Sequence, residues 1–235
     1  MTALRYLIDT VAGSAASVRR RRRIDPTELV GRGQVKINLG SGLQVAPGWI
    51  NVDASLNALI ADWPSFLQAR LFALSGQKPW FDRTEYLRRL RSNRFVHADL
   101  TRPLPFSPES ADFMFCSHVL EHLTRLQGVG LLTEAHRILR PGGTMRVGVP
   151  NLELAIDLYR AGKARDMLDR FFYRPESGRL AQHRYMYDVG LLTEVLEEAG
   201  FSKVVRREYR SGVVPDLDKL DNRPEQTLFV EATKG

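Results

Sequence analysis

Apolar and polar positions along the chain change period several times, and the changes predict a series of short strands and longer helices. Val35, Ile37 and Leu39 alternate with polar residues as a strand would. Gly40-Ser41-Gly42 breaks that strand, and a second apolar run, Trp49-Ile50-Asn51-Val52, ends at Asp53. Phe95-Val96-His97-Ala98-Asp99 reads as a third strand that also ends in an acid, and Ala111 to Cys116 as a fourth. Ser117 to Leu123 leads into a helix, and Leu131, Leu132, Ala135, Ile138 and Leu139 form the stripe of a strongly amphipathic helix. Arg140-Pro141-Gly142-Gly143 stops it and turns the chain into a fifth strand, Thr144 to Val149. A helix over Leu191 to Ala199, ended by Gly200, precedes final strands at Lys203 to Arg207 and Thr227 to Thr233. Strands alternating with helices predict a parallel α/β sheet covered on both faces.

Length and composition narrow this further. With 235 residues and 43% apolar content the chain suits one α/β domain with insertions. We read residues 1–33 as a basic extension and 34–235 as the domain, with insertions at about 56–94 and 152–188. No apolar run approaches the roughly 20 residues that span a bilayer. The formal charge is +7, but residues 1–33 carry seven basic against three acidic residues, a surplus of +4 that leaves +3 for the other 202. The single cysteine, Cys116, suits a reducing, cytoplasmic compartment and reads as a small buried hydrophobe inside an apolar strand. At the N-terminus Leu4, Leu7, Ile8 and Val11 have helical spacing, and the Arg19 to Arg23 run follows them. That order is wrong for a secretory signal. It fits a peripheral contact with an anionic membrane surface, or equally a helix packed on the domain.

Glycines at a strand-ending turn allow unusual backbone angles and close approach of a ligand, and an acid ending the next parallel strand can accept both hydroxyls of a ribose. The ordered segments INLGSG (37–42), INVD (50–53), HADLTRPLPF (97–106), ADFMFCSHVLEHL (111–123) and EAHRILRPGGTMRVGVPN (134–151) resemble class I S-adenosylmethionine-dependent methyltransferases, in the style called methyltransferase type 11. The resemblance implies a Rossmann-like, seven-stranded, mostly parallel sheet with its last strand antiparallel, and S-adenosylmethionine across the carboxyl ends of the first strands. It implies that Gly40, Ser41 and Gly42 let the methionine part approach the backbone, that Asp53 holds the ribose, that Asp99 and the Leu100 amide hold the adenine, and that Ser117 and His118 face the sulfonium and the acceptor. Asn38 stands where relatives often carry an acid near the first glycine, so the resemblance implies a polar cofactor contact there that is weaker or neutral. Only ten residues separate Gly42 from Asp53, so a loop through Pro47-Gly48-Trp49 replaces the usual helix, as in relatives with the LGSG…PGWINVD pattern.

The two insertions carry aromatic and arginine residues, among them Trp63, Trp80, Tyr173, Arg174 and Arg179, and are expected to build the acceptor pocket and its cover. An alcohol acceptor needs a proton removed, and histidine is suited to this near neutral pH. His118 is the first candidate base and His183 the second. His122 is expected one helical turn beyond His118, on the same face. His118, Glu121, His122 and His183 also have the residue types of a divalent-metal site, and the His118-x-x-Glu121-His122 spacing resembles a metal motif of certain O-methyltransferases. The leading reading is O-methylation of a small-molecule or glycan-precursor hydroxyl. A nucleic-acid methyltransferase, suggested by the charge, and a non-catalytic cofactor-binding scaffold stand as alternatives.

Overall fold

The computed structural model describes residues 10–16, 24–30, 33–172 and 182–235. The expectations for Leu4, Leu7 and Ile8, for the Arg19 to Arg23 run and for Tyr173, Arg174 and Arg179 fall outside the described residues. Among those described, no helix is long and apolar enough to cross a membrane.

Seven strands form one sheet: β1 (Lys36–Leu39), β2 (Trp49–Asp53), β3 (Arg94–His97), β4 (Ala111–Ser117), β5 (Leu139–Pro150), β6 (Lys203–Arg207) and β7 (Thr227–Thr233). Their order across the sheet is β3-β2-β1-β4-β5-β7-β6. Strands β1 to β5 pair in parallel, and β7 runs antiparallel between β5 and β6. The helices are α1 (Leu56–Ile60), α2 (Ser65–Leu71), α3 (Arg83–Ser92), α4 (Arg125–Ile138), α5 (Leu152–Arg160), α6 (Ala164–Phe171) and α7 (Val189–Glu198), with single turns at Thr27–Val30 and Leu217–Leu220. The sheet order doubles back beside β1, so a crevice opens at the carboxyl ends of β1 and β4, where ligands of such sheets lie.

Two sequence expectations change. β5 starts at Leu139 directly after α4, because Leu139 pairs with Ala111 and a bulge follows, so the Arg140-Pro141-Gly142-Gly143 turn lies within the strand. Residues 118–123 are not the start of an α-helix: His118 has φ +55°, Leu120–His122 is a 3-10 turn, and α4 starts only after the Thr124 capping box with Gln127. The helical-face relation between His118 and His122 therefore does not hold.

Strand alternation gives the sheet two different faces. Ile37, Leu39, Ile50, Val52, Met114 and Cys116 point into the main core, under α4 and α7. Burial pushes the Cys116 thiol pKa far up, as a packing residue requires. On the opposite face the β1–β2 connection has no helix, as expected. The bulk comes from two places. Ile60, Tyr86 and Leu90 of the first insertion, with Phe95 of β3, pack with Leu43. Val214, Leu217 and Leu220, from the connection between β6 and β7, pack over Ala46, Trp49 and Phe115.

Irregular backbone laid over a sheet still needs hydrogen-bond partners, and buried polar side chains on this face supply them. Arg146 is fully buried, donates to the Ser211 and Glu208 carbonyls at 2.8 and 2.9 Å, and makes a two-pronged bond to Asp221 at 2.9 and 2.6 Å. Opposite it in register, Glu231 accepts the Val213 and Val214 N–H groups at 3.0 and 3.1 Å. Asp216 accepts from Lys36 and from the Trp49 indole at 2.7 and 2.9 Å. Removing the Asp221 carboxylate would leave the buried Arg146 charge with only the more distant Glu231 carboxylate at 3.7 Å, so Asp221→Ala is expected to lower the free energy of unfolding by about 3 kcal/mol. Urea denaturation checks this, and a loss below about 1 kcal/mol would show that the pair holds nothing together.

Candidate functional site

The crevice at the carboxyl ends of β1 and β2 is fastened by one carboxylate. Asp53 ends β2, and its Oδ2 accepts the Gly42 N–H at 2.7 Å while Oδ1 accepts the Ser55 N–H at 2.7 Å. Both oxygens are thereby aimed, and a carboxylate has lone pairs left for a paired donor such as a ribose diol. Gly40 has φ +66°, and a Cβ there would run into the Val119 side chain, so the turn requires glycine. Gly42 has φ +50° and nothing within 4 Å of where its Cβ would be, so its backbone borders open space next to Asp53. Ser41 is buried, with its hydroxyl turned toward the Gly42 carbonyl at 3.5 Å.

Asn38 has a different task from the one expected. It is buried, and its Nδ2 donates to the Gln44 carbonyl at 2.8 Å and to Asn51 Oδ1 at 3.1 Å, which ties the helix-free loop to the sheet. Asp99 lies just past β3, and its Oδ1 accepts the Thr101 N–H and hydroxyl at 2.9 and 2.8 Å, holding a tight turn. Half-buried Leu100 packs on the core beside Gly40.

At the end of β4 a second group forms. Ser117 has a buried hydroxyl with no hydrogen-bond partner, beside Gly148. His118 adopts a left-handed backbone, a conformation that costs about 1–3 kcal/mol. Its N–H is anchored on the Gly148 carbonyl at 2.9 Å. Its Nδ1 lies 3.1 Å from Glu121 Oε1, and its Nε2 lies 3.1 Å from Thr227 Oγ1. Glu121 is fully buried. Burial pushes its carboxyl pKa up, but the His118 hydrogen bond and the charges of His118 and His122 outweigh this, and the net direction is down.

His183 comes into the same cluster from the segment after the second insertion. Arg184 and Tyr185 donate their N–H groups to the Glu121 carbonyl at 2.6 and 3.3 Å, which fixes that segment against the 3-10 turn. Burial lowers the His183 pKa, against the opposing pull of the Glu121 carboxylate. His122 and His183 stack edge to face with centroids 5.1 Å apart. Of the four residues expected together, Glu121, His122 and His183 group most closely, and His118 bonds Glu121 Oε1 through Nδ1.

His97 bonds the Ala54 carbonyl at 3.2 Å, and His136 packs on Phe201, both in structural roles. Thr227 escaped the sequence reading altogether. It lies 109 residues from His118, and no local pattern announces a cross-sheet hydroxyl.

This sheet order, with one antiparallel strand and a glycine turn facing an acid, is the class I methyltransferase architecture. Residues 65–147 match a family model described as a methyltransferase domain. The match spans β3 to β5 and starts beyond the glycine turn and Asp53. An S-adenosylmethionine-dependent methyltransferase from Thermotoga maritima, described as a possible histamine N-methyltransferase, has the same fold, with TM-score 0.50 at 14% identity over 99% of this chain and 92% of that one. Two further structures lie nearby. A possible exported protein from Bordetella parapertussis gives TM-score 0.49 at 15% identity over 96% of this chain and 66% of that one. An S-adenosylmethionine-dependent methyltransferase from Methanosarcina mazei gives 0.48 at 14% over 91% and 99%. No curated protein matches the chain. The chain therefore has the class I methyltransferase fold, the fold of enzymes whose cofactor is S-adenosylmethionine, and its segment 65–147 matches the methyltransferase-domain model.

The residues at the glycine turn fit that cofactor: an open backbone at Gly42 lies beside a carboxylate already oriented by two N–H groups. Asp53→Ala removes the diol acceptor and frees the Gly42 and Ser55 amides. It is expected to weaken S-adenosylhomocysteine binding by about 100-fold, equivalent to two charge-assisted hydrogen bonds at roughly 1.5 kcal/mol each. Isothermal titration measures it, and an unchanged Kd would remove Asp53 from the site.

Proposed function

We propose that the enzyme methylates a hydroxyl oxygen, with a sugar or glycan precursor as acceptor, and that His118 takes the proton. The observation that supports this most is the Glu121–His118–Thr227 chain at the end of β4. Methyl transfer from a sulfonium is an in-line displacement, so alignment supplies much of the rate. Amines and carboxylates need little besides. An alcohol is a poor nucleophile until its proton leaves, and a positioned base contributes about 10²–10⁴-fold.

His118 suits that task because the Glu121 carboxylate can hold the proton on Nδ1, which directs the Nε2 lone pair outward, toward Thr227. The Thr227 hydroxyl has another acceptor, the Arg223 carbonyl at 2.9 Å, so it can release Nε2 to an incoming acceptor at small cost. Ser117, with its unpartnered hydroxyl, lies next to the same position and can orient the acceptor oxygen. Asp53, Gly40, Gly42, Asp99 and Leu100 would hold the cofactor on the other side.

Both insertions leave the sheet at its carboxyl edge, after β2 and after β5, which is where an acceptor must enter. They are not simply extra core. Tyr86 and Phe171 are buried, whereas Trp63, Trp80, Tyr159 and Phe172 are exposed, Trp80 at 70%. Exposed aromatic faces suit stacking against sugar rings.

His118→Ala is expected to leave S-adenosylhomocysteine binding within about twofold while lowering kcat by about 10²-fold or more. The substrate class is tested by incubating the enzyme with methyl-labelled cofactor and fractionated cell extract. Label in base-labile-resistant glycan or sugar fractions supports the proposal. Label confined to RNA, or normal turnover by His118→Ala, contradicts it.

A further inference from the structure

Glu121, His122 and His183 offer ligand atoms that all lie within 4.8 Å of one another. His122 Nδ1 sits 3.2 Å from the Gln182 carbonyl, which can only accept, so the ring proton is on Nδ1 and the Nε2 lone pair faces inward. That Nε2 is 3.9 Å from Glu121 Oε1, too far for a hydrogen bond. Glu121 Oε2 is buried without a partner, and so is His183 Nδ1. Two imidazole nitrogens and a buried carboxylate thus lie together with hydrogen-bonding capacity left unused.

We propose that these three residues form a binding site for one divalent transition-metal ion of the zinc class. Two imidazoles and a carboxylate are the donor set such an ion prefers, and a backbone carbonyl on the far nitrogen of a ligating histidine is the usual outer partner, here Gln182. A tetrahedral site with bonds of about 2.1 Å has edges of about 3.4 Å, so the ligand atoms need to close by only about 1.4 Å, within reach of side-chain rotation. With three protein ligands the fourth position is open, facing the end of β4.

His118 is not a ligand: its Nδ1 is directed at Glu121 Oε1 and its Nε2 at Thr227. It acts as a positioning residue for the carboxylate. The ion would also join two parts of the chain far apart in sequence, the 3-10 turn Leu120–His122 and the segment 182–187, next to the proposed acceptor entrance. The site is independent of which atom is methylated.

The test uses tag-free, full-length protein dialysed against chelator and titrated with Co²⁺ alone, read by visible absorption. One equivalent with the intense d–d bands of tetrahedral cobalt is expected. His183→Ala and Glu121→Gln should each weaken Co²⁺ binding by at least about 100-fold, beyond the 10–100-fold of losing an outer partner. His136→Ala should leave it unchanged. S-adenosylhomocysteine titration of the same samples reports on the fold and on the cofactor site separately, so failure of the metal site is distinguishable from failure of the methyltransferase reading. Absence of the bands in the unsubstituted protein overturns the proposal whatever the variants do. So does a spectrum that survives both ligand substitutions.

Discussion

A sheet covered by irregular chain must find hydrogen-bond partners for backbone that no helix pairs, and this constraint shapes the molecule around its site. The connection from β1 to β2 is too short for a helix, so the face beneath it carries Asn38, Asn51, Arg146 and Glu231 where an apolar stripe would otherwise lie. Three of them bond loop backbone, Asn38 the Gln44 carbonyl, Arg146 two carbonyls and Glu231 two N–H groups, while Asn51 links Asn38 to the Arg94 carbonyl at the start of β3. Asp53 belongs to the same system. Its carboxylate fastens the glycine turn at Gly42 to the end of β2, and the geometry that secures the loop also orients an acceptor for a diol.

The same constraint links the two ends of the sequence. The connection between β6 and β7 supplies Val214, Leu217 and Leu220 as cover for Trp49 and Phe115, and Asp216 reaches Lys36 and the Trp49 indole from it. Gln44, in the short loop, donates to the Lys219 carbonyl. The cofactor turn near the start of the domain is thus held from behind by chain that folds last in sequence order. Buried polar side chains take the place of a helix, and their cost is met only while every partner is present.

Much of the fold was legible because it is written in local periodicity. The alternation at Val35, Ile37 and Leu39 placed β1, the run to Asp53 placed β2, and the stripe through Leu131, Ala135 and Ile138 placed α4. What escaped was set by tertiary pairing. Leu139 reads as the end of a helix, yet its bridge to Ala111 draws it into β5. His118 to His122 reads as helix, yet the left-handed His118 and its anchor on Gly148 tighten the segment into a 3-10 turn. Asn38 stands where relatives carry an acid, and strand alternation sends its amide to the Gln44 carbonyl and Asn51, a pairing that no local pattern contains. His183 could be proposed beside Glu121 from its residue type alone, but that Arg184 and Tyr185 bind the Glu121 carbonyl is a long-range fact no spacing contains.

The central claim is that the cofactor's nucleoside lies over the carboxyl ends of the first strands with its sugar on Asp53. A crystal structure of the protein with S-adenosylhomocysteine tests this most directly. The account predicts both ribose hydroxyls within hydrogen-bond distance of the Asp53 carboxylate and the adenine between Asp99 and Leu100. Density for the nucleoside elsewhere on the molecule, with Asp53 bonded only to Gly42 and Ser55, would contradict it.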